Sequence, residues 1–298
     1  MENSKKSLII VPFAHKVGEM ARTAPANEKT KLTYLQNCCV SLVSAKRNND
    51  TNTDVALVTN IDLPYDIKSL LEKNQILILR EEFDEFNFNS NMMWCLAFYK
   101  LCALSKAVAK TNYDYYAYMD SDTFVQHSFN DIWEECTQNI LMYDINHGLR
   151  VNDYNIIISE FEKYYGDKRY ITHYGGEFFA ANKENCILFI KKCKDVYQKM
   201  INDNIVTTKG DEFITSIAAE ELKLKVKNAG AYIYRFWTGE FNLISTCYKY
   251  NPVTVLHLPD EKQKGLIYIY QKYISKDKIP NNKTVWKKCH CNRKFGLL

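Results

Sequence analysis

Near its start the chain carries an apolar run, Ser7-Leu8-Ile9-Ile10-Val11-Pro12-Phe13. A run with no polar alternation has both faces covered, so it predicts an interior strand. Lys31 to Lys46 places Leu32, Leu35, Cys39, Leu42 and Val43 at helical spacing. Val55-Ala56-Leu57-Val58, within Asp54 to Thr59, predicts a second strand. A helix opened by proline follows from Pro64 to Lys73, then a third strand from Gln75 to Leu79. Ser90 to Lys110 predicts a long helix, and Tyr115 to Met119 a fourth strand. Apolar strands alternating with helices predict an α/β fold, a mostly parallel sheet flanked by helices on both faces. Ligands of such sheets bind beyond the carboxyl ends of the strands. That marks Pro12, Phe13 and Ala14, then Thr59 and Asn60, then whatever follows Met119.

The second half is less regular. Asn130 to Gln138 reads as a short helix, and Tyr143 to Tyr170, rich in Asn, Tyr and charge, as loop and edge structure. A strand opened by Gly175 and Gly176 runs to Ala181 and leads into a helix from Lys183 to about Asn202. A shorter helix is expected from Asp211 to Leu222, with strands at Tyr232 to Trp237 and Val253 to Leu258. The domain expectation is one unit over 1–265, with a nucleotide-binding half to about 128 and an acceptor half after it. A basic, aromatic tail over 266–298 completes it, either unstructured or resting on an anionic membrane surface.

Composition narrows the class. With 298 residues, 46% hydrophobic and 25% charged, the chain suits an ordinary globular protein with a sizeable core. A net charge of +4 with scattered Lys and Arg gives no nucleic-acid footprint. Met1 to Ala14 holds no secretory signal core, so the expected location is the cytosol, with peripheral contact at the inner face of a membrane through the tail. The ten cysteines then read as reduced core thiols, since several fall in apolar helical patterns. Cys289-His290-Cys291 lacks a second pair to complete a zinc site.

Chemistry concentrates at Tyr118-Met119-Asp120-Ser121-Asp122. Burying a carboxylate is costly unless it is paired or bound to metal. Asp120 and Asp122, two residues apart where a strand ends, form a hard oxygen site for Mg²⁺ or Mn²⁺, which commonly shares its shell with a substrate phosphate. The alternative is a capped turn, because Asp and Ser bond their own backbone well.

This segment resembles the Asp-x-Asp motif of glycosyltransferases of the GT-A fold, and the resemblance spans about residues 7 to 265. His173-Tyr174-Gly175-Gly176-Glu177-Phe178-Phe179, then a helix, then Gly210-Asp211-Glu212-Phe213, is similar to the order in family 6, the blood-group-type transferases. Leu256-His257-Leu258-Pro259 resembles family 8, the lipopolysaccharide galactosyl- and glucosyltransferases, but departs from it at Asp260, where that family has glycine. The resemblance implies a transferase that moves a hexose from a nucleotide-sugar, most simply a UDP-sugar, to a saccharide or lipid-linked glycan in cell-surface polysaccharide synthesis, with retention. It implies Asp120, Asp122 and His257 as metal ligands, with Asp120 also reaching the ribose.

The remaining candidates follow from the chemistry. A carboxylate at Asp211 or Glu212 suits an oxocarbenium-like sugar, although acidic residues also favour a helix start. Lys100, Lys262 and Lys264 suit a leaving diphosphate, beside Ser121 of the motif. Gly175 and Gly176 admit close approach of a sugar, Glu177 its hydroxyls, and His173 and Trp237 an acceptor ring. Three rivals stay open: an inverting transferase, a sugar-1-phosphate nucleotidyltransferase, and a carbohydrate-binding protein without catalysis.

Overall fold

A computed structural model describes residues 5–16, 27–88, 92–146, 151–222, 225–238 and 253–291. Strand β1 (Ser7–Phe13) lies between β2 (Thr53–Thr59) and β4 (Tyr115–Met119), parallel to both. β3 (Leu77–Arg80) extends the parallel set beyond β2. On the other side β7 (Tyr174–Asn182) runs antiparallel to β4 and to β6 (Ile140–Asp144), and β8 (Val226–Asn228) pairs with β6. The order is β3-β2-β1-β4-β7-β6-β8.

Alternate residues of these strands feed two cores. Ile9, Val11, Val55, Leu57, Ala117 and Met119 pack with α1 (Glu28–Asn48) on one face. Leu8, Ile10, Ala56, Val58, Tyr116 and Tyr118 pack with α3 (Tyr99–Lys110) and α6 (Lys183–Asn202) on the other. Apolar residues at consecutive strand positions are therefore buried on both faces, as the unbroken runs predicted. The helices α2 (Tyr65–Lys73), α4 (Asn130–Glu135) and α7 (Asp211–Glu221) fall close to their expected places.

A second, three-stranded sheet joins distant segments. β5 (Thr123–Val125) pairs antiparallel with β10 (Val255–His257), which pairs parallel with β9 (Ile233–Arg235). It forms immediately after the Asp120-Ser121-Asp122 turn and is the piece that closes the site.

The sequence expectations need correction in four places. The long helix from Ser90 to Lys110 begins as α3 only at Tyr99, after a 3₁₀ turn over Cys95–Phe98 preceded by Trp94 in the left-handed region at φ 62°. Residues 89–91 lie outside the described set. β3 starts at Leu77 because Gln75, at φ 56°, turns the chain first. The stretch read as loop and edge structure contains the end of β6 and a full helix, α5 (Val151–Tyr165). There Ile157, Phe161 and Tyr164 make the buried stripe, and the β-branched run Ile156-Ile157-Ile158 obscures its period.

The fourth correction is the segment after 265. It folds onto the body as α8 (Gly265–Lys272), a short 3₁₀ turn, and α9 (Asn282–Lys288), whose start is capped by the Asn281 side chain. Trp286 is wholly buried, donates Nε1–H to Gln126 Oε1 at 3.0 Å and meets Phe236 edge-on at 5.4 Å. Its ring is thus a core element rather than an outward anchor. Arg293, Lys294 and Phe295 of the expected tail lie outside the described residues. The nine described cysteines are all buried free thiols. Among the described residues, no helix is long and apolar enough to cross a membrane.

Truncating Trp286 removes a wholly buried ring and the hydrogen bond it donates to Gln126. Trp286→Ala should destabilise the full chain by about 3–5 kcal/mol in urea denaturation. A loss below about 1 kcal/mol would mean that α9 does not contribute to the cooperative core.

Candidate functional site

The site lies beyond the carboxyl ends of β1 and β4. The turn from β4 into β5 is held by Thr123, whose hydroxyl donates to the Asp120 carbonyl at 2.9 Å and meets Ser41 Oγ at 2.6 Å. The β5–β10 register sets His257 opposite Thr123, and the Leu258 amide donates to the Asp122 carbonyl at 2.9 Å. Backbone pairing alone therefore carries the imidazole to the aspartates. His257 Nε2 stands 3.2 Å from Asp122 Oδ2 and 3.8 Å from Asp120 Oδ2. The three residues each offer one ligand atom, and these atoms lie within 4.8 Å of one another.

The donor set, two carboxylates and an imidazole, fits Mn²⁺ or Mg²⁺ with positions left for a phosphate and water. Lys262 Nζ lies 2.6 Å from Asp122 Oδ2. Burial favours the neutral acid at Asp122, but the Lys262 ammonium and the His257 ring hold its carboxyl well below the usual range. Burial opposes charge on His257, yet Asp122 and Glu177 lift it to about 9. A cation bound at Nε2 would take the place of that proton.

A second charged cluster adjoins the first. Lys100, on α3, places Nζ 3.1 Å from Asp120 Oδ1, 3.0 Å from Asp211 Oδ2 and 2.8 Å from the Gly176 carbonyl. Asp211 and Glu212 open α7 after Gly210, whose φ of +60° suits glycine and where a Cβ would collide with Trp94. Burial pushes Asp211 up to about 7 against the pull of Lys100. Glu212 goes the other way: burial would raise it, but His173 and Arg235 hold it down at about 2. Adjacent carboxyls with separated affinities suit different roles, one exchanging a proton near neutrality and one fixed as an anion.

A charged network runs from the cleft wall into the interior. Arg235 donates from Nε to Glu177 Oε1 at 2.6 Å and from Nη2 to Glu177 Oε2 at 2.5 Å, and reaches Glu212 Oε1 at 3.2 Å. His173 Nε2 meets Glu212 Oε2 at 3.1 Å. Burial would raise Glu177, but Arg235 and His257 hold it well below the carboxylate range.

A cleft of about 350 Å³ lies over these groups, within the range of small-molecule sites. Pro12, Phe13, Ala14, Lys100, Asp120, Ser121, Asp122, Asp211, Glu212, Trp237, His257 and Lys262 line it, as the sequence reading expected. The other candidates do not. Thr59 is buried and accepts from the Ile61 amide, while Asn60 exchanges two hydrogen bonds with the His15 backbone and so shapes the rim. Lys264 is exposed at the start of α8. His173 and Glu177 are buried behind the cleft wall.

Gly175 and Gly176 make room for the protein's own side chains. A Cβ at Gly175 would collide with Glu177 and Arg235, and one at Gly176 with Asp211 and Lys100. The sequence reading missed Arg235, although a lone cation in the apolar run Ile233 to Trp237 was a usable signal. It also missed Tyr34, Trp94, Thr208 and Lys209, which line the cleft from separate segments and carry no local mark.

No family model matches the chain, and no curated protein does. Solved structures do. LgtC, a galactosyltransferase in complex with donor and acceptor sugar analogues, superposes with a TM-score of 0.58 at 13% identity, over 95% of this chain and 99% of that one. An active-site mutant of LgtC gives 0.55 at 14% identity, over 84% and 86%. Mouse xyloside xylosyltransferase 1, in its apo form, gives 0.53 at 9% identity, over 85% and 97%. The chain has the GT-A fold of these glycosyltransferases, and its Asp120, Asp122 and His257 form an Asp-x-Asp-type cluster.

Two predictions test the geometry. Gly176→Ala forces a methyl between Lys100 and Asp211, so its melting temperature should fall by several degrees and full activity should not survive. An unchanged melting curve with full turnover would show that the strand has slack there. The second concerns Asp211, whose folded value of about 7 exceeds an unfolded value of about 3.9. A raised acid stabilises fully below the unfolded value, and that contribution fades as pH rises through the folded one. From pH 4 to 8, wild type should lose up to ~4 kcal/mol relative to Asp211→Asn in urea denaturation. Parallel curves would show Asp211 ionised throughout, paired with Lys100.

Proposed function

We propose that the chain is a metal-dependent glycosyltransferase that moves a hexose from a nucleotide-sugar, most simply a UDP-sugar, to a saccharide or lipid-linked acceptor. The observation that carries this reading is the convergence of Asp120, Asp122 and His257 at the end of β4, in a GT-A fold, on the floor of a cleft. Mn²⁺ or Mg²⁺ held by these three would supply positive charge to the diphosphate.

The chain's own residues do the rest. Lys262 lies over the Tyr34 ring at 5.9 Å as well as on Asp122, which suits an ammonium that turns from Asp122 to a leaving phosphate. Lys100 bridges Asp120 and Asp211 and offsets the repulsion between them. The Glu212 anion, fixed by His173 and Arg235, supports positive charge building on a sugar ring. Asp211, exchanging its proton near neutrality, is suited to proton transfer at an acceptor or leaving oxygen. The order of the Gly175-Gly176 strand and the Asp211-Glu212 helix, similar to that of retaining families, favours retention. Trp237 supplies an aromatic face at the rim for an acceptor ring.

The test is nucleotide release from a panel of UDP-, GDP- and CMP-sugars, with Mn²⁺ or EDTA, for wild type and Asp122→Ala. One donor should turn over with Mn²⁺ alone, and Asp122→Ala should lose at least ~100-fold, as losing a transition-state charge contact does. Equal turnover in EDTA, or by a folded Asp122→Ala, would remove the metal reading. No turnover of any donor would leave a sugar-binding protein.

A further inference from the structure

Glu177 is the most deeply buried carboxylate of the site, with none of its surface exposed, and it does not line the cleft. A group so placed does not touch a donor or an acceptor, yet it sits against both halves of the cation site. Its backbone carbonyl accepts the Asp120 amide at 3.0 Å. Its Oε1 lies 3.4 Å from Nδ1 of His257. That ring nitrogen is buried and, among the described residues, makes no hydrogen bond of good geometry, so the Glu177 oxygen at ion-pair distance is the group that faces it. The opposite nitrogen, Nε2, is the one turned towards Asp120 and Asp122.

We propose that Glu177 is a positioning residue for His257. It holds the proton on Nδ1 and turns the bare Nε2 towards the cation that Asp120 and Asp122 share. This inference rests on the metal reading of the same cluster. An imidazole offered to a metal needs its other N–H fixed by an acceptor, because that bond sets both the tautomer and the tilt of the ring. Glu177 is the acceptor within reach.

Arg235 explains how such an acceptor survives burial. Its two bonds occupy both Glu177 oxygens and neutralise the carboxylate, leaving further lone-pair capacity on Oε1 for Nδ1. Arg235 also reaches Glu212, whose Oε1 accepts the Gly176 amide at 3.3 Å. The ring that binds the cation and the carboxylate beside the sugar cleft are thus held by one guanidinium.

The test is calorimetric titration of the full chain with MnCl₂, without nucleotide, for wild type, Asp122→Ala and Glu177→Gln, each first checked for a cooperative melt. Glu177→Gln keeps the size of the side chain and leaves Arg235 paired with Glu212. It should bind Mn²⁺ about 10- to 100-fold more weakly than wild type, the usual cost of losing an outer partner of a metal-bound histidine. A folded Glu177→Gln with wild-type affinity would overturn the proposal, since a merely structural role moves the melt and not the titration.

If Glu177→Gln does not fold, the ¹⁵N spectrum of the His257 ring in Mg²⁺-loaded wild type decides. A protonated Nδ1 with bare Nε2 supports the proposal, and the reverse tautomer overturns it. Wild type that takes up no Mn²⁺, or Asp122→Ala binding it as well as wild type, would instead sink the metal reading and this inference with it.

Discussion

The structure turns on one constraint: five carboxylates converge where the sheet ends, and most of them are shielded from water. Asp120, Asp122, Glu177, Asp211 and Glu212 would repel one another and pay heavily for desolvation if left alone. Lys100, Lys262, Arg235 and the two histidines sit among them at hydrogen-bonding distance. Each cation contacts two elements or more, so neutralising charge also fixes geometry. Lys100 ties α3 to β4, β7 and α7. Arg235 ties β9 to β7 and α7. The surrounding fold can be read as the scaffold that brings these charges into register.

That constraint explains the unusual chemistry of β7. A strand in the middle of a sheet would be expected to carry branched apolar residues, yet this one begins Tyr174-Gly175-Gly176-Glu177. The two glycines leave space that the charged side chains of Glu177, Arg235, Asp211 and Lys100 occupy. The interior here is filled by paired ions where an apolar core would place branched side chains. Removing Arg235 would leave the Glu177 carboxylate without its guanidinium, and breaking such a buried pair typically costs about 3–5 kcal/mol.

Much of this was legible in the sequence. The strands β1, β2 and β4 announced themselves as unbroken apolar runs, because both faces of a central strand are covered. The aspartates stood out because a carboxylate pair is out of place after such a run. What was hidden depended on contacts between distant segments. α5 was obscured by its isoleucine run, and the helices after 265 by a basic, aromatic composition that reads as a tail. His173, Glu177 and Lys264 carried the right chemistry in the sequence, but only the fold reveals that the first two lie behind the cleft wall and the third faces solvent. Arg235 is the instructive omission: a cation in a short apolar strand is as anomalous as an aspartate, and deserved equal weight.

The second sheet has a consequence for how the chain comes to be folded. Its strands come from residues 123–125, 233–235 and 255–257, and the ring that packs on it belongs to Trp286. During synthesis the sheet of β1 to β4 is complete long before β10 or α9 leaves the ribosome. Until then Asp122 has neither His257 nor Lys262, and the aspartate turn stays wet and open. The charged constellation is thus assembled last, by closing a loop of more than a hundred residues, a slow and entropically unfavourable event. The cation site is therefore a property of the completed chain, and no early part of it carries the whole cluster.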